Sequence, residues 1–133
     1  MKHEFVIYGR HYKNTRTMPG LNEYLHECAC HPQAGASMKK KYKKIASDAI
    51  RSRLGRLRIV KPVILHYRFY EADKRRDKMN IFSFADKVIE DALQDTKVIA
   101  NDGWKEIVNT THEFYVDKVR PRIEVVIEEV GDN

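Results

Sequence analysis

The apolar residues of this chain alternate between a two-residue and a 3.6-residue period, and the order of those segments leaves few folds open. PVILHYRFY at residues 62–70 is rich in β-branched and aromatic residues. It reads as a central strand with a proline at the tolerant first position. HEFVIY at residues 3–8 reads as an earlier strand, and a polar stretch runs from Gly9 to Thr17. Pro19 suits the start of a short helix, PGLNEYLHECAC, in which Leu21, Tyr24, Leu25 and Cys28 keep helical spacing. Residues 35–54 predict a long helix with the stripe Met38, Tyr42, Ile45, Ala46, Ala49, Ile50 and Leu54, stopped by Gly55.

From Ile81 to Leu93 the spacing is helical again. Ile81, Ala85, Val88, Ile89 and Ala92 fall on one side, with Asn80, Ser83, Lys87 and Asp91 roughly opposite. The turn Asn101-Asp102-Gly103 leads into strands expected at 104–116 and 121–129, joined at Asp117–Pro121 as a hairpin-like end. The order β, α, α, β, α, β, β predicts an α+β fold. Residues 1–133 form a single domain with one mixed sheet and helices packed against it.

The net charge of +6 and the pI of about 9.3 favour a polyanionic partner, nucleic acid before an anionic membrane surface. No run reaches the ~18 apolar residues of a spanning helix. MKHEFVIYGR has no small-residue cleavage site and does not read as a signal peptide. The only cysteines, Cys28 and Cys30, cannot staple distant segments, so a cytoplasmic protein is expected.

The chemistry-bearing residues gather in RRDKMN, residues 75–80, and in the later turn. Asp77 sits at a strand-to-helix junction and Asp102 in a tight turn before a strand, so the two carboxylates can converge at the sheet edge. Hard oxygen ligands there suit Mg²⁺ or Mn²⁺. The alternative makes Asp77 an N-cap and Asp102 a turn former. Asn80 and Lys87 are two helical turns apart on one face, where Lys87 can hold a phosphate or simply face solvent. His26, Cys28, Cys30 and His31 lack a trusted zinc spacing and read by default as half-buried thiols in a short helix. Trp104 reads as a packing residue. No Gly-rich phosphate loop and no nucleophile elbow is present.

Taken in order, PGLNEY, GASMKKKY, RRDKMN, FADKVIEDAL, VIANDGWKEIV and EFYVDKVRPRIEVVIEE make the chain resemble the RusA-type Holliday junction resolvases, above all those of phages and prophages of Gram-positive bacteria. The resemblance implies a small homodimeric endonuclease that cuts four-way DNA junctions with Mg²⁺ or Mn²⁺. It implies metal ligands at Asp77 and Asp102, a supporting Asn80 and a catalytic lysine matched by Lys87. The sequence departs from the family at Met79, which stands where a second box aspartate belongs. A thioether is a soft ligand that suits Mg²⁺ poorly. Asp73, Glu71 and Asp86 are the nearby acids that can compensate, and water filling the gap is the alternative.

Phosphate contacts are expected from Lys39, Lys40, Lys41, Lys43, Lys44, Lys74, Arg75 and Arg76. The expected activity is thus a metal-dependent endodeoxyribonuclease of recombination and repair, weakened by Met79, with no small-molecule substrate. The alternative is a junction-binding protein that has lost catalysis. A basic RNA-binding or scaffold protein without a metal site is a third reading. A competing account of Met79 makes it an apolar plug under the helix that starts at Asn80.

Overall fold

The structure, a computed structural model, describes residues 1–131. Seven elements follow the expected order: β1 (Lys2–Tyr8), α1 (Leu21–Cys30), α2 (Ala34–Leu54), β2 (Val63–Glu71), α3 (Lys78–Asp95), β3 (Ile107–Val116) and β4 (Arg122–Glu129). They build an α+β fold around one four-stranded mixed sheet in the order β1-β4-β2-β3. β2 pairs parallel with β3, and β4 pairs antiparallel with both β1 and β2.

The alternation of β2 places Val63, Leu65, Tyr67 and Phe69 inside, none more than 1% exposed. Phe5 and Ile7 of β1, and Ile123, Val125 and Ile127 of β4, join them on the face the helices cover. α3 contributes Ile81, Phe84, Ala85, Val88, Ile89, Ala92 and Leu93, and α2 contributes Tyr42, Ala46 and Ile50. Burying each large side chain of this kind is worth about 1.5–3 kcal/mol, so these stripes fix which helix faces meet the sheet. Gly55 ends α2 with φ 60°, a conformation that costs a residue with a Cβ. Pro62 lies just outside β2, since a central strand needs an N–H to donate at every ladder position.

The expected hairpin at the C-terminal end is corrected. β3 and β4 do not pair; they flank β2 on opposite sides. Residues 117–121 cross the end of β2, where the Asp117 N–H donates to the Glu71 carbonyl at 2.8 Å. The reason lies in α3, which returns the chain across the sheet so that β3 must run parallel to β2. β3 also starts later than expected. Gly103 to Glu106 form a turn in which Glu106 and Ile107 donate to the Gly103 carbonyl.

The second face of the sheet carries ion pairs and an aromatic contact between its own strands. Arg68 bridges Glu113 and Glu124, His66 meets Glu128, and the Arg122 guanidinium lies 3.7 Å over the Tyr70 ring. No helix among the described residues is long and apolar enough to cross a membrane.

Candidate functional site

The RRDKMN segment leaves the C-terminal end of β2 and becomes the first turn of α3. Arg76 turns inward there. Its Nε and Nη2 donate to Glu71 at 2.9–3.2 Å, and its Nη1 donates to Glu23 at 3.0 Å and to the Met18 carbonyl at 3.2 Å. Arg16 completes the network, donating to Glu71 at 2.8 Å and to Asp73 at 3.0 Å. The Arg76 side chain is 9% exposed, which corrects its expected role as a phosphate contact. Burying the charge of Glu71 requires these donors, and the donors are then unavailable to DNA. Arg75 and Lys74 remain exposed, and a backbone N–H of Arg75 helps hold the Asp73 carboxyl below its usual range.

Asp77 is the N-cap of α3, with φ −65° and ψ 150°. Its carbonyl accepts the Ile81 N–H, yet its carboxylate makes no capping hydrogen bond. The carboxylate instead lines an open groove of about 830 Å³ together with Asp73, Lys74, Lys78, Phe114 and Val116. Met79 is 66% exposed on the first turn of α3. That corrects the account of Met79 as a plug beneath the helix.

Asn80 has a structural task. Gly20 at the N-terminus of α1 brings no capping side chain, and the Asn80 Oδ1 accepts the Asn22 N–H at 2.7 Å in its place. Asn80 Nδ2 also donates to Glu23 at 3.2 Å. A Cβ on Gly20 would lie 2.6 Å from Asn80 Oδ1 and 2.7 Å from the Asn80 carbonyl oxygen, so only glycine lets the two helices approach this closely.

Asp102 is elsewhere. It precedes the N-terminal end of β3, and Lys87 Nζ lies 3.9 Å from its Oδ2. Lys87 comes ten residues after Asp77, roughly 15 Å along the helix axis at 1.5 Å per residue. Its Nζ also reaches one turn further on, to Asp91 at 3.2 Å, and so points away from Asp77. Oxygens sharing one Mg²⁺ lie within about 4.2 Å of each other, twice the metal–oxygen distance. The structure therefore brings Lys87 to Asp102 and does not bring Asp77 to Asp102 within one chain. Among the described residues no group of three His, Cys, Asp or Glu side chains is placed to hold a metal ion. A single chain does not fit the expected cation.

Around Asp102 the structure gathers Asp86, which the sequence offered as an acid able to compensate for Met79, and Glu90, which the sequence reading passed over. Glu90 is pushed up to about 7 by burial and by the charges of Asp86, Asp102 and Asp91, against the pull of Lys87. Burial raises the Asp86 carboxyl too, against the pull of His112, which meets Asp86 Oδ2 at 2.9 Å. Burial and the Asp86 charge push the Tyr67 phenol well above its ordinary value. Neither Tyr67 Oη nor Asp86 Oδ1 has a hydrogen-bond partner of ordinary geometry among the described residues. The signal for this cluster was the i, i+4 spacing of Asp86 and Glu90 in FADKVIEDAL.

The basic residues divide. Lys39 pairs with Asp91 at 3.4 Å and Lys43 with Asp95 at 2.9 Å, tying α2 to α3. Lys44 pairs with Asp48 along α2. Lys40 and Lys41 are exposed and have no carboxylate partner among the described residues. Trp104, expected to pack, is 96% exposed, and both cysteines are exposed rather than half-buried. Cys30 Sγ lies 3.4 Å from His26 Nε2, but no metal-holding group forms there. Searches of protein-family models and of curated proteins find no match to the chain.

Proposed function

We propose that the chain is a metal-dependent endodeoxyribonuclease that acts as a homodimer on four-way DNA junctions in recombination and repair. The resemblance in sequence supplies the reaction class. The observation that carries the reading is the state of Asp77. It occupies an N-cap position, yet its carboxylate is left out of the capping it stands ready to perform and faces an open groove beside Lys74 and Lys78. Asp102, likewise, is met by the catalytic candidate Lys87. Lys40, Lys41, Lys74 and Arg75 contact backbone phosphates, which position DNA without specifying its sequence. Two sites related by a twofold suit a junction that is itself twofold symmetric and needs two nicks.

One observation favours a second reading, a junction-binding protein without cleavage. Met79 offers no oxygen beside Asp77, and the adjacent acids Glu71 and Asp73 are held by Arg16 and Arg76. A synthetic four-way junction incubated with the protein in Mg²⁺ and in Mn²⁺ separates the two. Paired nicks support the nuclease, and tight junction-selective binding without nicks supports the second reading. Equal affinity for junction and linear duplex at matched salt overturns both.

A further inference from the structure

Trp104 is the one tryptophan of the chain, and its ring lies almost wholly in solvent two residues after Asp102. We infer that the end of the sheet where β2 and β3 begin is a further DNA-contacting surface. Trp104 stacks there on an unstacked base face, and Arg58, Lys61, Lys97 and Lys105 hold the phosphates around it. The inference rests on the junction reading for its kind of DNA, and on the bare ring and unpaired cations for its place.

Tryptophan is highly buried on average, so a ring left bare calls for a partner. The backbone beneath it is already set. Glu106 and Ile107 both donate to the Gly103 carbonyl, at 3.1 and 2.9 Å, and Trp104 sits on the turn they close. A contact made by a fixed turn costs less ordering than one made by a loose loop. The segment before β2 brings the charges. Ile59 N–H donates to the Val98 carbonyl and Val63 N–H to the Glu106 carbonyl, both at 2.8 Å. Four residues separate the two anchors, so they stand at most about 14 Å apart. Lys61 and the 97%-exposed Val60 lie between them. Arg58 and Lys97 flank the first anchor, and Lys105 flanks the second. All four cations are exposed and have no carboxylate partner among the described residues. Of the acids at this end, Asp102 is met by Lys87 and Glu129 by His3.

Nucleic acid supplies both halves of what this surface lacks, phosphates for the cations and a flat π-face for the indole. Inside a continuous duplex each base pair is covered above and below. A face opens only where stacking is interrupted, as at a branch point or a bulge, and that makes the contact selective for DNA structure. Stacking on an aromatic ring tolerates any base, so the selectivity comes without a sequence preference. The Cα atoms of Trp104 and Asp102 are at most about 7 Å apart. A base held on Trp104 therefore sets which phosphate reaches the Lys87–Asp102 pair.

Because the chain has one tryptophan, its emission reports on Trp104 alone. The full chain, in chelator, is titrated with a four-way junction, a duplex carrying a two-base bulge, and the same duplex fully paired. Junction and bulge should quench the emission, and the paired duplex should leave it nearly unchanged. Trp104→Ala should melt like the parent and bind labelled junction and bulge roughly 5- to 150-fold more weakly, the loss of one stacked base, with Trp104→Phe restoring most of the affinity. Arg58→Ala with Lys61→Ala should lower the log–log salt slope by roughly 2, at about 0.9 per phosphate. Emission that saturating bulged DNA leaves unchanged overturns the inference, whether or not the variant folds. So does parental affinity in Trp104→Ala. If that parent still nicks junctions, the nuclease reading stands. Quenching by the bulge from a parent that neither prefers nor nicks junctions upholds the surface and overturns the junction reading. A blue shift on concentrating the protein without DNA gives the ring to a second copy and overturns the inference.

Discussion

Replacing Glu90 with Gln should stabilise the metal-free protein, by an amount that grows as the pH rises from 4.5 to about 7. Glu90 is driven from an ordinary 4.5 to about 7 by burial first and then by the charges of Asp86, Asp102 and Asp91. Its folded form therefore holds a proton more tightly than its unfolded form. The associated stability is fully present below pH 4.5 and is lost as the pH rises through 7. The full shift corresponds to about 3 kcal/mol. Glu90 is partly exposed, and solvent screening reduces that to about 1–2 kcal/mol. Glu90→Gln removes the titration and keeps the shape. Urea unfolding of parent and variant in chelator should coincide near pH 4 and diverge by about 1–2 kcal/mol at pH 8. For a chain of this size the divergence is roughly 3–10 °C in Tm. A variant that is no more stable at pH 8 than at pH 4, relative to the parent, refutes the crowding of charge around Asp102.

Arg76→Met should lower stability by about 3 kcal/mol, because Glu71 and Glu23 lose their buried partner while Arg16 still holds Glu71. The folded variant should bind junction DNA like the parent, and an affinity loss matching that of Lys40→Ala with Lys41→Ala would return Arg76 to the DNA surface. Gly20→Ala should cost about 1–3 kcal/mol through its clash with the Asn80 backbone oxygen, measured by the same unfolding assay. Met79→Asp should leave the melting temperature within about 3 °C of the parent, since position 79 is exposed and an acid in the first turn suits the helix dipole. It should also raise Mn²⁺ affinity, and a collapse in stability would show that the side chain packs after all. Junction affinity should fall linearly in log–log form with salt, by roughly 0.9 per phosphate neutralised, and a flat response would remove the electrostatic footprint.

The elements were legible because their apolar stripes are strong. The α3 stripe of Ile81, Ala85, Val88, Ile89 and Ala92 is buried as its period dictates, and Gly55 stops α2 where a left-handed residue is needed. Strand pairing was less legible, since nothing local in residues 117–121 says whether the chain doubles back or crosses the end of β2. The fate of charged residues was the hardest to read. Arg75 and Arg76 are neighbours in sequence, yet one faces solvent and the other is buried against the nearby Glu71 and against Glu23 and Met18, which lie more than fifty positions away. Trp104 shows the converse, a large apolar ring that is left 96% exposed among the described residues. Asp77 and Asp102 were identified as a pair, while their separation depended on the direction of β3, which only the sheet order reveals.

Cleavage of a labelled four-way junction and of a linear duplex, by the parent beside Asp77→Asn and Asp102→Asn, tests the central claim most directly. The account predicts symmetric paired nicks in the junction by the parent in Mg²⁺ or Mn²⁺, an intact duplex, and no nicks by either variant, both of which still bind the junction. Cleavage at the parental rate by either variant, or a parent that leaves the junction whole in both metals, contradicts it.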